Sequence, residues 1–330
     1  MPAVSVVLPY RDAGKTILSA VHSILDQTFR DLELIAVDDG SSDGSAALLE
    51  GIDDPRLTRL RNTHGPGVVG ASRTGIDVAR AEWLARMDAD DLSLPDRIAE
   101  QFNAATSDVD VVACAAELID SCGEGMERYV DWVNRLETHE EISRSRFIEC
   151  PVINPTSMVR REWLERVGAY HDAPWAEDHD LWLRLLEQGC RFIKLPQILF
   201  QWRDSPERLT RRDERYGDDA RSRMRAHYLA RIRSVREQGV VIAGAGPIGK
   251  KLALDLQNEG ILVRGFFEVS PRRIGQRIHG AEVASASEMG KRWRSSILLG
   301  AVGLEGGRDE VRRMAHSHGR REGVDFWAVC

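Results

Sequence analysis

Short apolar runs and amphipathic stretches alternate along the first part of the chain. Continuous apolar or β-branched runs predict buried strands, and apolar positions at helical spacing predict helices. The predicted strands are Val4–Leu8, Leu32–Val37 and Trp83–Met87, and the predicted helices are Thr16–Gln27, Ser45–Glu50 and Thr74–Ala81. This alternation is typical of a mostly parallel sheet that is covered by helices on both faces.

Acidic stretches follow two of these strands. Asp38–Asp43 comes directly after the second strand, and Asp88–Asp91 comes directly after the third. Ligands of open parallel sheets bind beyond the carboxyl ends of the strands. The Asp-x-Asp pattern supplies hard oxygen ligands for Mg²⁺ or Mn²⁺, which neutralise the charge of a diphosphate. Each stretch alone is also compatible with a turn and a helix cap.

The pattern changes after residue 203. Arginine crowds residues 203–236, with Asp and Glu interleaved, and the second half of this stretch predicts a charged connecting helix. A fresh βαβ pattern then begins at Gly239. Its predicted elements are the strands Val240–Ala243, Leu262–Phe267, Ile297–Gly300 and Phe326–Val329, with helices over Lys250–Glu259 and around Arg308–His318. We therefore expect one domain over residues 1–205, a charged helical linker over 206–238 and a small Rossmann-like α/β domain over 239–330.

Composition and charge narrow the class of protein. The 330 residues carry a net charge of −7 and are 42% hydrophobic, as in a folded protein with two ordinary domains. An acidic total argues against a nucleic-acid partner. No run approaches the roughly 20 apolar residues of a membrane span, and the first residues lack the pattern of a signal peptide. We expect a cytoplasmic protein, with peripheral membrane contact left open and the oligomeric state not indicated. Five cysteines without a CxxC pair indicate reduced thiols and no zinc site.

Ordered motifs over the first two hundred residues carry a family resemblance. They are Val4–Tyr10 followed by Arg11-Asp12, the segments Ser23–Phe29, Val37–Asp43, Ala71–Gly75, Asp88–Asp91, Leu94–Ile98 and Asn154–Met158, and finally Ala176–Arg184 with its Glu177-Asp178 pair. In this order they resemble the family 2 glycosyltransferases with the GT-A fold. The resemblance covers residues 1 to about 205.

The resemblance implies a role for each matching residue. It implies that Asp178 is the catalytic general base of an inverting transfer from a nucleotide diphosphate sugar to an acceptor hydroxyl. It places Pro9, Tyr10, Asp12, Asp39, Arg73 and Asp88 at the donor, and Asp88 and Asp90 at a Mg²⁺ or Mn²⁺ ion. It places Arg97, Glu177 and Trp182 at the acceptor, a glycan or a lipid-linked sugar of cell-surface glycan synthesis.

Alternatives remain open for several of these side chains. Glu177 and Asp178 also suit a charged helix N-terminus, and Arg97 also suits a solvated helix face. Trp175 and Trp182 are compatible either with sugar stacking or with core packing. The chain departs from the family pattern at Gln201-Trp202-Arg203-Asp204, where many relatives carry a histidine in a Tyr-Arg-x-His segment. Arg203 and Arg208 are alternative partners for the diphosphate, or parts of an exposed salt-bridged segment.

A glycine-rich turn opens the C-terminal segment. Gly244, Gly246 and Gly249 lie between a predicted strand and a predicted helix, and Glu268 ends the next strand. This context is that of a dinucleotide-binding turn, in which the glycines admit a pyrophosphate and the acidic residue holds ribose hydroxyls. Residues 274–283 also resemble a segment of the small nucleotide-sugar-binding domain of bacterial sugar O-acyltransferases. Three interpretations stay open: a nucleotide or nucleotide-sugar module, an assembly domain, and an NAD(P)-dependent activity.

The sequence therefore predicts a glycosyltransferase. Two other functions are left open. One is a regulatory protein that binds nucleotide sugars through a degenerate transferase domain, and the other is a sugar oxidoreductase that acts through the C-terminal domain with NAD(P).

Overall fold

The computed structural model describes residues 1–120, 123–205, 208–304 and 306–330, and it divides into two compact units. The first unit comprises residues 1–142, 151–173 and 177–212, and the second comprises residues 143–150, 174–176 and 213–330. Of the five cysteines, Cys122 lies outside the described residues, and Cys114, Cys190 and Cys330 are free thiols. No helix in the described ranges is both long and apolar enough to cross a bilayer.

The first unit is built on one mixed sheet. Its strands are β1 (Val4–Tyr10), β2 (Leu32–Asp38), β3 (Leu57–Arg61), β4 (Trp83–Arg86), β5 (Leu92–Ser93), β6 (Val111–Ile119), β7 (Met158–Arg160) and β8 (Phe192–Arg203). Among the described residues they run in the order β3-β2-β1-β4-β7-β6-β8-β5. Strands β1 to β4 pair in parallel, whereas β7 is antiparallel to both of its neighbours.

Helices pack beside this sheet and connect its strands. They are α1 (Ile17–Leu25), α2 (Ser45–Glu50), α3 (Val68–Val78), α4 (Arg97–Ala104), α5 (Glu124–Asn134), α6 (His139–Ser145), α7 (Arg161–Val167), α8 (Glu177–Glu187) and α9 (Leu209–Arg212). A 3₁₀ turn over Asn154–Thr156 precedes β7. Every residue of β1 and β2 is buried, as expected for central strands of a parallel sheet. The expected α/β fold with a mostly parallel sheet and flanking helices is confirmed.

The second unit contains a smaller sheet. Its strands are β9 (Val240–Ala243), β10 (Val263–Glu268), β11 (Arg277–Ile278), β12 (Ala281–Ser285), β13 (Ile297–Gly300) and β14 (Phe326–Ala328), and its helices are α10 (Asp218–Arg231), α11 (Arg233–Gln238), α12 (Pro247–Asn258) and α13 (Gly307–Ser317). Two 3₁₀ turns cover Glu214–Tyr216 and Ala286–Glu288. Over the residues described, the strand order is β11-β12-β10-β9-β13-β14, with only the β11–β12 pair antiparallel.

The charged stretch expected as a linker is a packed part of this second unit from residue 213 onward. Helix α10 lies against α12, and Ser222 Oγ donates a hydrogen bond of 2.5 Å to the buried Asp255 carboxylate. Lys251 forms an ion pair of 2.7 Å with the same carboxylate. The expected bounds of 206–238 for a separate linker are therefore corrected, because the small and apolar residues of α10 are buried beneath its arginines.

Candidate active site

The candidate site lies where β1, β2 and β4 end. Tyr10 at the end of β1 pairs with Asp38 of β2, and the Asp39 N–H donates to the Tyr10 carbonyl over 2.9 Å. On the other side of β1, the Met87 N–H donates to the Val7 carbonyl over 3.1 Å. The loops that carry Asp39 and Asp88 therefore emerge on either side of the same strand, at one edge of the sheet.

Asp39 organises the loop before α3. Its carboxylate accepts a hydrogen bond of 2.6 Å from Asn62 Nδ2 and one of 2.8 Å from the Gly67 N–H. Arg11 approaches the same carboxylate at 3.8 Å. The Asp39 side chain, only 8% of which is exposed, is thus held in one orientation beside the end of β2.

The other residues expected at the donor differ in exposure. Pro9 and Tyr10 are buried in β1, and burial together with the charge of Asp38 raises the pKa of Tyr10 to about 12. Asp12 is exposed and accepts a 2.7 Å hydrogen bond from the Ser42 N–H, so that it ties the two loops together. Arg73 lies on α3, and within the described chain its guanidinium has no hydrogen-bond or ion-pair partner.

Asp88 is fixed by a buried arginine that the sequence analysis did not single out. Arg86, the last residue of β4, donates to Asp88 Oδ1 over 2.7 Å and to Ser72 Oγ over 2.5 Å. Only 6% of the Arg86 side chain is exposed, against 28% for Asp88. In the sequence, Arg86 could have been identified as a charged residue at the end of an apolar strand, two positions before the acidic motif. One oxygen of Asp88 is thus bound to protein, while the other has no such partner in the described chain.

Asp90 and Asp91 are anchored from the end of β8. The Arg203 N–H donates to Asp91 Oδ1 over 2.8 Å, and Arg203 Nε donates to the Asp90 carbonyl over the same distance. Burial and the charge of Asp88 raise the pKa of Asp90, and burial with Asp90 raises the pKa of Asp91 further. The second oxygen of Asp91 is buried without a hydrogen-bond partner in the part of the chain described.

Asp178 lies in the first turn of α8. Burial, with the charge of Glu177 beside it, raises the pKa of Asp178 to about 7, and Asp88 contributes to this rise. The His179 N–H donates to the Asp178 carboxylate over 2.7 Å. The charges of Asp178 and Glu177 also act on the buried Tyr170, which donates to Asn154 Oδ1 over 2.8 Å. The end of β4 and the start of α8 are therefore electrostatically linked.

Two side chains expected at the acceptor are buried in the core instead. Arg97 is fully buried; it donates to the Arg86 carbonyl over 2.9 Å, to Gln101 over 3.0 Å, and lies 4.9 Å from the Phe200 ring. Trp182 is also fully buried and packs edge-on against Phe192. Neither side chain reaches a surface that an acceptor can touch, so the expectation is corrected for both. Glu177, the third expected acceptor residue, is buried next to Asp178.

Trp175, left open between sugar stacking and packing, belongs to the second unit. Its ring lies 5.3 Å from that of His227 and 6.4 Å from that of Tyr228. This residue therefore takes part in an aromatic cluster with α10.

The acidic loop fits a divalent cation that also binds phosphate. Asp88 and Asp90 present carboxylates whose mutual repulsion a cation relieves, and oxygen is the ligand that Mg²⁺ and Mn²⁺ prefer. The described residues contain no cluster of three His, Cys, Asp or Glu side chains able to enclose a metal. A donor set of two carboxylates is typical of sites that substrate phosphates complete.

The three glycines of the glycine-rich turn in the second unit differ in whether the local structure requires a glycine. A Cβ on Gly249 would lie 1.9 Å from the Gly244 carbonyl oxygen, and Gly244 has a left-handed φ of +111°. Gly246 has an ordinary φ of −80°, and the nearest atom to a Cβ there is Arg273 Nη1 at 4.0 Å. Packing and backbone thus require glycine at two positions, while the third leaves open space at the start of α12.

Glu268 is already engaged at the end of β10. Its carboxylate accepts from the N–H groups of Ala245, Val269 and Ser270 and forms an ion pair of 3.0 Å with Arg273. Burial opposes the charge, but these hydrogen bonds prevail and lower the pKa of Glu268. Glu268 therefore holds the turn and Arg273 together.

Comparison with known proteins gives the family of the first unit. Residues 5–168 match the model of Glycosyl transferase family 2. An uncharacterized glycosyltransferase of Haemophilus influenzae is 29% identical over 213 residues, which are 61% of this chain and 65% of that protein. The putative glycosyltransferase EpsE of Bacillus subtilis is 26% identical over 226 residues, 66% of this chain and 79% of that protein. The first match thus spans just under two thirds of its relative.

A solved structure shows the same fold. The mannosyltransferase PcManGT from Pyrobaculum calidifontis, in complex with GDP-Man and Mn²⁺, superposes with a TM-score of 0.54 at 21% identity and covers 78% of this chain and 73% of its own. At this identity the likeness concerns the fold, which is the GT-A type. The chain therefore carries, over residues 5–168, a glycosyltransferase domain of family 2.

Proposed function

We propose that this chain moves a sugar from a nucleotide diphosphate sugar to a hydroxyl of an acceptor, with inversion at the anomeric carbon. The observation that carries the proposal is the Asp178 carboxyl, whose pKa of about 7 comes from burial, Glu177 and the nearby Asp88. A base of this pKa is ionised in part at neutral pH and is also strong enough to accept a hydroxyl proton.

The proposed reaction uses Asp178 as its base. The acceptor oxygen attacks the anomeric carbon while its proton passes to Asp178. The bond between that carbon and the diphosphate oxygen breaks, and its electron pair leaves with the nucleoside diphosphate. Attack from the face opposite the leaving group inverts the configuration. Glu177 acts in this scheme by keeping the pKa of Asp178 raised.

The acidic loop and the β2 loop would hold the donor. Asp88 and Asp90 would bind Mg²⁺ or Mn²⁺, which supplies positive charge against the departing diphosphate. Asp39 would contact the nucleobase, and Arg73 has a guanidinium available for the phosphates. The Mn²⁺ and GDP-Man of the Pyrobaculum structure support a cation and a nucleotide sugar in this fold.

One relative supports a proposal on the class of acceptor. One is named a UDP-Glc:α-D-GlcNAc-diphosphoundecaprenol β-1,3-glucosyltransferase in Escherichia coli, 24% identical over 195 residues. We propose by this likeness a glycan or lipid-linked acceptor in cell-surface glycan synthesis, reached from the cytoplasm.

The test is the release of nucleoside diphosphate from a panel of UDP- and GDP-sugars with Mn²⁺, with and without candidate acceptors. One donor should be turned over, and Asp178→Asn should lower its rate by about 10²-fold or more, as loss of a general base does. Asp53→Asn, which removes an exposed carboxylate elsewhere in the first unit, should have no effect. Tight donor binding without turnover would instead favour the regulatory alternative.

A second proposal concerns the glycine-rich turn. Neither the backbone conformation nor the packing at position 246 requires a glycine. The open space beside Gly246 lies at the start of α12 and faces the Arg273 side chain. A close approach by a phosphate would explain the residue, since a helix N-terminus favours negative charge. We propose that the second unit binds a nucleotide or nucleotide sugar here, with NAD(P) as the alternative ligand and a pure assembly role as the other outcome.

The matched test uses Gly246→Ala, which adds one methyl group in that space. Both proteins carry Asp90→Asn and are tested without Mn²⁺, so that the first unit does not bind the nucleotide. Nucleotides should then raise the unfolding temperature of the protein that keeps Gly246 and not that of the Gly246→Ala protein, because a ligand stabilises only the state that binds it. A rise with NAD(P)H alone, accompanied by absorbance loss at its nicotinamide band with a sugar substrate, would establish the oxidoreductase alternative. In this Asp90→Asn background, no rise with any nucleotide leaves the assembly role.

A further inference from the structure

The acidic loop after β4 carries an excess of negative charge. Asp88, Asp90 and Asp91 lie within four residues, and a donor would bring further charge in its diphosphate. The nearby guanidinium groups of Arg86 and Arg203 are engaged: Arg86 binds Asp88 and Ser72, and Arg203 binds the Asp90 carbonyl and Asp120. A positively charged side chain beside this loop would offset part of this charge together with the proposed metal ion.

Arg208 is placed to supply this positive charge. Its guanidinium lies 4.0 Å from the centre of the Trp202 ring, and Nη1 donates to the Arg203 carbonyl over 2.5 Å. Trp202 itself is 94% buried, so it forms a fixed platform. Among the described residues, the remaining N–H groups of Arg208 have no hydrogen-bond partner and it forms no ion pair. The guanidinium is thus oriented by protein on one side and open on the other.

Arg208 is connected to the acidic loop through Arg203. Arg208 binds the carbonyl of Arg203, and Arg203 holds the backbone of Asp90. Two successive hydrogen bonds through Arg203 therefore join Arg208 to the loop that carries Asp90.

We propose that Arg208 binds the diphosphate of the donor, with its guanidinium held flat on Trp202 and its unpaired N–H groups directed to phosphate oxygens. This inference rests on the proposed function and adds the residue that offsets the charge of the leaving group. A planar guanidinium presents paired donors that match phosphate oxygens, and stacking on an aromatic face removes part of the entropic cost of fixing it.

The test measures binding by calorimetry in the presence of Mn²⁺. The probes are inorganic pyrophosphate, which has the charge without the base, and uridine and guanosine, which have the base without the charge. The variants are Arg208→Gln and Arg208→Lys. The matched control is Arg166→Gln, because Arg166 stacks on Trp163 at 4.2 Å in the same unit, and no hydrogen bond or ion pair among the described residues joins it to the acidic loop.

Arg208→Gln should weaken pyrophosphate binding by about 10-fold or more, the effect of losing hydrogen bonds between charged groups. The pyrophosphate affinity of Arg208→Lys should fall between those of Arg208→Gln and the wild type. Nucleoside binding should be unchanged in both Arg208 variants, and Arg166→Gln should bind pyrophosphate as the wild type does. Wild-type affinity for pyrophosphate in both Arg208 variants would overturn the inference and leave the proposed function intact. A wild type that binds neither pyrophosphate nor nucleosides would overturn both. Thermal unfolding shows whether each variant is folded. If Arg208→Gln is unfolded, the pyrophosphate affinity of Arg208→Lys decides the test.

Discussion

Substitution of Asp178 by asparagine should stabilise the protein above neutral pH while slowing transfer by about 10²-fold or more. In the folded chain the pKa of Asp178 is raised from 3.8 to about 7. Between these values the folded state keeps a proton that the unfolded chain has lost. The free energy of unfolding therefore falls as the pH rises through this window. Asparagine has no proton to lose, and its amide oxygen can still accept the bond from the His179 N–H.

The magnitude follows from the shift. About three pKa units at about 1.4 kcal/mol each correspond to about 4 kcal/mol once the carboxylate is fully ionised, above pH 7. The Asp178 side chain keeps some contact with solvent, and screening by water therefore reduces the destabilisation. We expect Asp178 to lower the free energy of unfolding by about 2 kcal/mol above pH 7. Below about pH 4 the carboxyl is neutral in both states and makes no such contribution.

The assay is urea denaturation of the wild type, Asp178→Asn and the surface control Asp53→Asn at pH 4.5 and pH 8. Between pH 4.5 and pH 8, the free energy of unfolding of the wild type and of the control should fall by about 2 kcal/mol more than that of Asp178→Asn. An identical pH dependence in all three proteins would refute the claim that Asp178 is an unfavourably buried base.

Three further predictions concern the site and the two units. Transfer at saturating Mn²⁺ should be about tenfold slower at pH 6 than at pH 8, because the fraction of ionised Asp178 falls below its pKa of about 7; a flat rate over this range would contradict that role. Arg97→Met should lower the free energy of unfolding by about 2–4 kcal/mol, since it leaves buried carbonyls unpaired, and should leave the acceptor KM unchanged in the folded fraction. Gly249→Ala should destabilise the second unit by about 2 kcal/mol in thermal unfolding, whereas Gly246→Ala should unfold as the wild type, because only the first places a methyl group against a backbone carbonyl.

Local patterns in the sequence were sufficient for the central strands. Residues of β1, β2 and β9 are buried on both faces, so their apolar runs mark them without tertiary information. Helix α3 begins at Val68 rather than at Thr74, because Gly67 has φ +104° and its N–H is bound by Asp39, a contact across 28 residues. Strand β8 was not predicted from the sequence, because polar residues such as Lys194 and Gln201 interrupt its apolar run.

The acidic clusters of the site could be found from the sequence, but the environment of each charge could not. Arg97 is at the start of a helix, where a charge usually faces water, yet Phe200 from a strand a hundred residues later covers it. The pairing of Arg86 with Asp88, and the stacking of Arg208 on Trp202, depend on the same kind of distant packing. Motif spacing identifies which residues can do chemistry; the burial that sets their charge comes from the fold.

The most direct test of one common site is calorimetric titration of UDP and GDP, with and without Mn²⁺, into the wild type, Asp39→Asn, Asp90→Asn and Asp178→Asn. One nucleotide should bind the wild type in a Mn²⁺-dependent manner, Asp39→Asn and Asp90→Asn should each weaken that binding, and Asp178→Asn should bind as tightly as the wild type while failing to turn over the corresponding sugar donor. Equal binding by all four proteins, or binding that does not respond to Mn²⁺, would contradict the account.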